Sequence, residues 1–266
     1  MSATIQKLQN FLLSLGIYIA KRQMTASLPE LLRLVWPKET NLELVRIGSP
    51  SQADGGYLLP KDFDGVSRVF SPGVAESVEF EKHFLNLGIP CDLIDGSIRE
   101  APEDHPLIHF QKLWLAAETT KTSICLDDWV AERAEPGEDL ILQMDIEGSE
   151  YEVLLAASQE VIDRFRIIVI EMHDLRSVFS RHGLTSFRLA MNKLLKNHLV
   201  VHAHPNNCNP PLRENGLVWP DVMEITLLRK DRVKSIHGDA TLPHPLDLDN
   251  TSNPSIRLVS PPSLLT

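Results

Sequence analysis

The chain has 266 residues, 43% hydrophobic and 23% charged, which is enough apolar content for a sizeable core in one large domain. A formal net charge of −10 leaves no basic excess to displace counterions and excludes broad binding to nucleic-acid phosphates. Cys91, Cys125 and Cys208 are odd in number and lack C-x-x-C spacing, so neither a disulfide framework nor a cysteine zinc site is expected, and a reducing, cytoplasmic setting fits.

Leu8, Leu12, Leu15 and Ile19 recur at spacings of three and four, which predicts an N-terminal helix. Its most apolar part, Phe11 to Ala20, is too short to span a bilayer and has neither a basic leader before it nor a small-residue cleavage site after it. A second apolar patch, "LLRLVW", follows Pro29. Residues 1–41 therefore read as a helical segment outside the main fold, and as the surface through which a homo-oligomer would form.

From about residue 42, β-rich runs such as "VSRVFSP", "CDLID", "DLILQMD" and "RIIVIEMH" alternate with helical stretches such as "SEYEVLLAASQEVIDRF" and "SFRLAMNKLLKN". That alternation predicts an α/β fold, a mostly parallel sheet covered on both faces. The last two runs, "HLVVHAHPNN" and "DVMEITLLRK", have only a Pro- and Asn-rich loop between them, which predicts a hairpin and hence one antiparallel strand. Residues 42–236 form the expected domain, and the Pro- and Asp-rich tail 237–266 is expected to pack on it.

Open parallel sheets bind ligands beyond the carboxyl ends of their strands, so the residues after each apolar run carry the functional reading. Gly73, in "FSPGVAESVEFEKHF", is either a tight turn or a cofactor turn; Pro72 precedes it and no second glycine follows. Asp95 lies 22 residues further on, the offset at which an acid accepts hydrogen bonds from a ribose diol, although an Asp-Gly turn is the plainer alternative. Asp127 and Asp128 precede a short helix, where an acid contacts an adenine amine or caps the helix.

In "QMDIEGSEYEVL", Ser149 and Glu152 have capping-box spacing and Glu150 falls in a first helical turn, so neither glutamate requires a function. Asp145 and Glu147 are not explained by the helix. The next strand ends in Glu171 and His173, and the one after it in His202, His204, Asn206 and Asn207. Three apolar strands that deliver carboxylates, imidazoles and amides to one rim predict a polar active site.

These residues resemble the FkbM-type family of S-adenosylmethionine-dependent methyltransferases. The similarity rests on "RIGSPSQADGGYLLP", "SPGVAESVEFEKHF", "DLILQMDIEGSEYEVL", "RIIVIEMHDL" and "HAHPNN…DVMEITLLRKD", over roughly residues 42 to 250. It implies a class I, Rossmann-like methyltransferase sheet of seven strands with an antiparallel last strand. It places Gly73 under the methionine part of the cofactor, Asp95 on its ribose, and Asp127 or Asp128 near its adenine. It implies O-methylation of a hydroxyl group, on a sugar, a glycan or a glycosylated natural product. A sugar hydroxyl is a poor nucleophile, so it needs a base, His173 or His204 with Asp145, or a cation such as Mg2+ or Mn2+ held by Asp145, Glu171 and His173. Glu147, Tyr57 and Asn207 are the candidate substrate contacts.

Two other readings compete. A methyltransferase fold that has lost catalysis would act as a glycan- or nucleoside-binding module, but it would have little reason to keep Asp145, Glu147, Glu171, His173 and His204 together. An NAD-dependent oxidoreductase is disfavoured because no G-x-G-x-x-G follows the first strand.

Overall fold

The computed structural model describes residues 28–49 and 55–261. The predicted helix over Leu8 to Ile19, and the oligomer surface assigned to it, lie outside these residues.

Seven strands form the central sheet: β1 (Val66–Pro72), β2 (Cys91–Ile94), β3 (Ile108–Gln111), β4 (Asp139–Met144), β5 (Phe165–Met172), β6 (His198–Asn206) and β7 (Val222–Arg229). Their spatial order is β3-β2-β1-β4-β5-β7-β6. Strand β7 inserts between β5 and β6 and runs antiparallel to both, as the closing hairpin requires, while the remaining pairings are parallel. This is the class I, Rossmann-like methyltransferase architecture. The β6–β7 connection also carries a small hairpin of Leu212–Glu214 and Leu217–Trp219.

The two faces are covered unequally. Helices α1 (Leu28–Val35), α3 (Leu126–Arg133), α4 (Glu150–Ala156), α5 (Gln159–Arg164) and α6 (Arg181–Leu195) pack one face around Phe70, Leu142, Ile168 and Ile225. The opposite face carries α2 (Glu79–Asn86) and the antiparallel pair Leu44–Gly48 and Gly56–Pro60, which bury Phe80, Phe84, Tyr57 and Leu59 against Val69, Ile141 and Val169. The "LLRLVW" patch does not stand apart: Leu28, Leu31, Leu32, Val35 and Trp36 belong to the first cluster. Burying this stripe removes more apolar surface from water than leaving it as an outer cap. Lys38–Thr40 then pairs with Ile236–Asp239, joining the segment before the sheet to the tail after it.

The helix predicted from Ser149 to Phe165 is broken in two. Ser149 makes no side-chain cap, so the capping box is not formed, and Ala157 leaves the helical region. Ser158 then caps α5 by accepting from the Val161 N–H at 3.2 Å.

Candidate functional site

Strand periodicity builds the site. On the face under α2, Val69 and Ile141 are apolar and register as neighbours. Two residues on, the same side of each strand presents Ser71 and Gln143, and two further stand Gly73 and Asp145 beyond the strand ends. The chains converge there so closely that a Cβ on Gly73 would fall 1.7 Å from the Asp145 carbonyl oxygen. With φ at +84°, this position admits only glycine.

A cleft of about 190 Å³ opens over this junction, lined by Gly55, Tyr57, Gly73 to Ala75, Ser77, Glu79 to Glu81, Gln143 and Asp145. Its floor is a buried polar chain. Gln143 Nε2 reaches the Tyr57 hydroxyl at 3.4 Å, and Ser71 Oγ contacts both Gln143 Oε1, at 2.7 Å, and Glu81 Oε1. A hydroxyl has one proton to donate, so when Ser71 donates to Gln143, Glu81 must donate to Ser71 and is then protonated. Burial pushes the Glu81 carboxyl up to about 7, which agrees with that arrangement.

Asp95 borders the cleft through Ala75, whose backbone is held in the left-handed region at φ +47°. Its Oδ2 accepts the Ala75 N–H at 2.9 Å, and its Oδ1 accepts from the Ser97 N–H and hydroxyl at 2.7 and 2.6 Å. Burial works to raise the Asp95 pKa, but the hydrogen bonds from Ser97, Ala75 and Ile98 outweigh it and hold the group ionised. Beside it Trp114 is 55% exposed, and its indole leaves no room for a Cβ on Gly96.

Beyond the cleft mouth, one ligand atom each from Asp145, Glu147 and His173 lies within 4.8 Å of the others. Glu147 takes φ +55° and Gly148 φ +106°, a reversal that brings the Glu147 carboxylate to 3.5 Å from His173 Nε2. Glu150 completes the group from below. It is fully buried, with Oε1 accepting from the Ile146 and Gly148 N–H groups and facing His173 Nδ1 at 3.0 Å. A carboxylate at Nδ1 holds the Nδ1–H and turns Nε2 toward Asp145 and Glu147. Burial alone would lower the His173 pKa, but Glu150 first, then Asp145 and Glu147, raise it to about 9.

Several residues named from sequence have other partners. Glu171 stands apart from the trio, because it is still within the β5–β7 ladder opposite Glu224 and accepts from Asn206 Nδ2 at 2.7 Å. Glu147 replaces it in the set. Both Asp127 oxygens accept from the Ser158 N–H, at 3.1 and 2.9 Å, which ties α3 to α5 rather than facing a ligand. Asp128 accepts from the Thr119 hydroxyl at 2.5 Å on the exposed side of α3. Asn207 is committed to the tail, donating to the Thr251 and Asn253 carbonyls and accepting the Thr251 N–H at 2.8 Å. His202 and His204 face Asp247 of the same tail at 2.9 and 3.6 Å. Glu81, Glu150 and Trp114 also stand at the site without a sequence signal: helical position alone accounts for Glu150, and Glu81 and Trp114 belong to no motif.

Among the described residues no helix is long and apolar enough to cross a membrane. No curated protein matches the chain in sequence. The fibrillarin/Nop5p complex is similar at 13% identity and TM-score 0.36, over 62% of this chain and 73% of that one. The Methanococcus jannaschii fibrillarin pre-rRNA processing protein is similar at 10% identity and TM-score 0.35, over 71% and 83%. The 16S rRNA (adenine(1408)-N(1))-methyltransferase W203A mutant from Catenulisporales acidiphilia is similar at 9% identity and TM-score 0.32, over 70% and 98%. The family model described as the methyltransferase FkbM domain matches residues 95–215, a span that begins at Asp95 and includes the Asp145, Glu147 and His173 trio. Over residues 95–215 this chain is thus similar to the methyltransferase FkbM domain, which supports S-adenosylmethionine-dependent methyl transfer.

Proposed function

We propose that the chain transfers the methyl group of S-adenosylmethionine to a hydroxyl of a sugar, a glycan or a glycosylated natural product. The observation that carries this reading is the Asp145, Glu147 and His173 trio at the mouth of a cleft bounded by Gly73 and tied to Asp95. The cofactor supplies an electrophilic methyl carbon on a sulfonium. In the transfer an oxygen–carbon bond forms while the sulfur–carbon bond breaks and leaves its electron pair on sulfur. The hydroxyl proton must leave, and what the chain contributes is alignment and a place for that proton.

Asp145 belongs to both the cleft and the trio, so it is the residue suited to orient the acceptor oxygen toward the methyl carbon. His173, its Nδ1–H held by Glu150, presents Nε2 on the same side; with its pKa raised to about 9 it is an imidazolium at neutral pH and accepts the hydroxyl proton in its neutral form, whose share grows as pH rises. Glu147 is exposed and suits contact with the acceptor's other hydroxyls. One imidazole nitrogen and two carboxylates also fit Mg2+ or Mn2+, and a cation there would supply the positive charge that makes a hydroxyl acidic. At the other end Trp114 offers a flat surface beside Asp95, suited to the adenosine. A cytoplasmic setting suits three free cysteines and a cofactor made inside cells.

The test is calorimetric titration with S-adenosylmethionine, with and without Mg2+ or Mn2+, on wild type and Asp95→Ala, followed by a screen of sugars and glycosides for methyl transfer. Saturable binding weakened by the substitution and transfer to a hydroxyl are expected. Absence of cofactor binding in every condition would overturn the reading and favour a binding module.

A further inference from the structure

One buried titratable group has no part in this chemistry. Glu81 is 2% exposed in the first turn of α2, yet it lines the cleft with Tyr57, Gly73, Gln143 and Asp145. Its neighbour Glu79 is exposed and pairs with Lys82 at 2.8 Å, so helix position alone does not account for the inward acid. No Lys, Arg or His lines the cleft among the described residues. The polar groups that touch Glu81 are the Ser71 hydroxyl and its own backbone, and neither is positive.

Burying a carboxyl without a cation is costly, and proteins ordinarily bury such a group only when it is paired. The other buried acids meet a cation or a nitrogen donor of another residue. Asp92 lies between Arg68 and Arg133 at 2.8 and 2.5 Å, Glu150 faces His173, Asp95 accepts from the Ala75 and Ser97 N–H groups, and Glu171 and Glu224 accept from Asn206 and Asn250. Glu81 has neither, and it lies in the floor of the cleft. The alternatives for this floor are all neutral: Ser71, Gln143 and Tyr57 are uncharged, and the edge-to-face pair of Tyr57 and Phe80, with centroids 5.8 Å apart, is apolar.

We propose that Glu81 is the counter-charge for a primary ammonium, the α-amino group at the methionine end of the cofactor, with Ser71 and Gln143 as further acceptors. This rests on the reading of the cleft as the S-adenosylmethionine site and adds to it the group that receives the ligand's ammonium. The amino-acid end lies on the Glu81 floor between α2 and the Gly73 turn, and the adenosine runs toward Asp95. An ammonium has three N–H donors and needs acceptors on several sides; a carboxylate flanked by a hydroxyl and an amide oxygen meets that need. Ligand-free, the proton that Glu81 holds stands in for the ligand's charge.

The experiment measures binding of S-adenosylhomocysteine and of 5′-methylthioadenosine, which keeps the adenosine and thioether but lacks the amino-acid end, to wild-type chain and Glu81→Gln. The substitution is expected to weaken S-adenosylhomocysteine on the order of 30-fold, as loss of one partner of a buried charge pair does, and to leave 5′-methylthioadenosine within about threefold. Equal weakening of both ligands, or no weakening of either, overturns the proposal and makes Glu81 a structural residue. A second measurement needs no variant: wild type is expected to bind the deamino analogue of S-adenosylhomocysteine on the order of 30-fold more weakly than the parent, and equal affinity overturns the proposal. If neither S-adenosylhomocysteine nor 5′-methylthioadenosine binds wild type, the cofactor reading itself fails, an outcome distinct from both of these.

Discussion

The two ends of the sheet carry similar numbers of charged groups and use them differently. At the amino end of β4 and β5, Asp139 meets Arg166 at 2.5 Å and Arg229 at 2.7 Å, while Asp62 holds Arg232 at 2.7 Å. Arg166 also donates to the Asp62 and Asp64 carbonyls, so acids and bases there neutralise one another. At the carboxyl end Asp145, Glu147 and Glu150 surround a single imidazole, and the cleft beside them holds Glu81 without a cation among its lining residues. A balanced cluster is complete without a ligand and contributes stability. An unbalanced one has electrostatic capacity left for a cationic partner or a proton, and that capacity is what identifies the functional end.

Substitutions at the two ends should therefore fail in different assays. His173→Ala is expected to lower methyl transfer about 10²- to 10⁴-fold, the usual contribution of a positioned acid–base group, measured on any glycoside that wild type methylates. Cofactor binding should change little, and a parallel loss of cofactor affinity would argue that His173 belongs to the cofactor cleft instead. Arg166→Leu should do the reverse. Breaking that cluster leaves Asp139 short of a partner and two carbonyls unmet, at a cost of about 3–5 kcal/mol in urea unfolding, and cofactor affinity of the folded fraction should be kept.

Glu81 gives the sharpest contrast within the functional end, because its effect depends on pH. Its folded pKa, about 7, lies above the ordinary 4.5, so its contribution to stability is fully present below pH 4.5 and is lost as pH rises through 7. The groups that face it are Ser71 and Gln143, with Cys91 nearby, whose thiol burial and the Glu81 charge hold protonated. Across that window wild type should lose about 3 kcal/mol from this group alone, and Glu81→Gln should remove the slope in ligand-free urea unfolding. An unchanged slope would mean that the carboxyl is already paired.

The smallest expected effect concerns the tail. Burial acts to raise the Asp247 pKa, but His202 and His204 hold it below the ordinary carboxylate range. Its contribution is present above about pH 4 and is lost as pH falls toward the lowered value. Asp247→Asn should cost about 1–3 kcal/mol at neutral pH, for lost charge-assisted hydrogen bonds, and almost nothing in strong acid; hydrogen exchange at His202 and His204 would locate the loss.

Much of this molecule follows from patterns of two and 3.6 residues. Alternation of apolar runs specifies the parallel sheet, and the missing helix between "HLVVHAHPNN" and "DVMEITLLRK" specifies the antiparallel strand, because parallel neighbours are usually joined by a crossover helix. The same local reasoning puts Asp145, Glu147 and His173 at one rim, since strand order and residue parity decide which end and which face each one occupies. Which of the polar residues stay available there was decided by partners remote in sequence. Thr251 and Asn253 occupy Asn207, Ser158 occupies Asp127, and Asp247 faces His202 and His204. Tertiary packing also gave Glu150 and Glu81 tasks that no spacing marks. Helical position accounts for both as ordinary first-turn acids, and only the burial of each against a histidine or an open cleft separates them from Glu79 and Glu152. Local periodicity selects where side chains point; their availability for chemistry depends on what the rest of the chain brings to meet them.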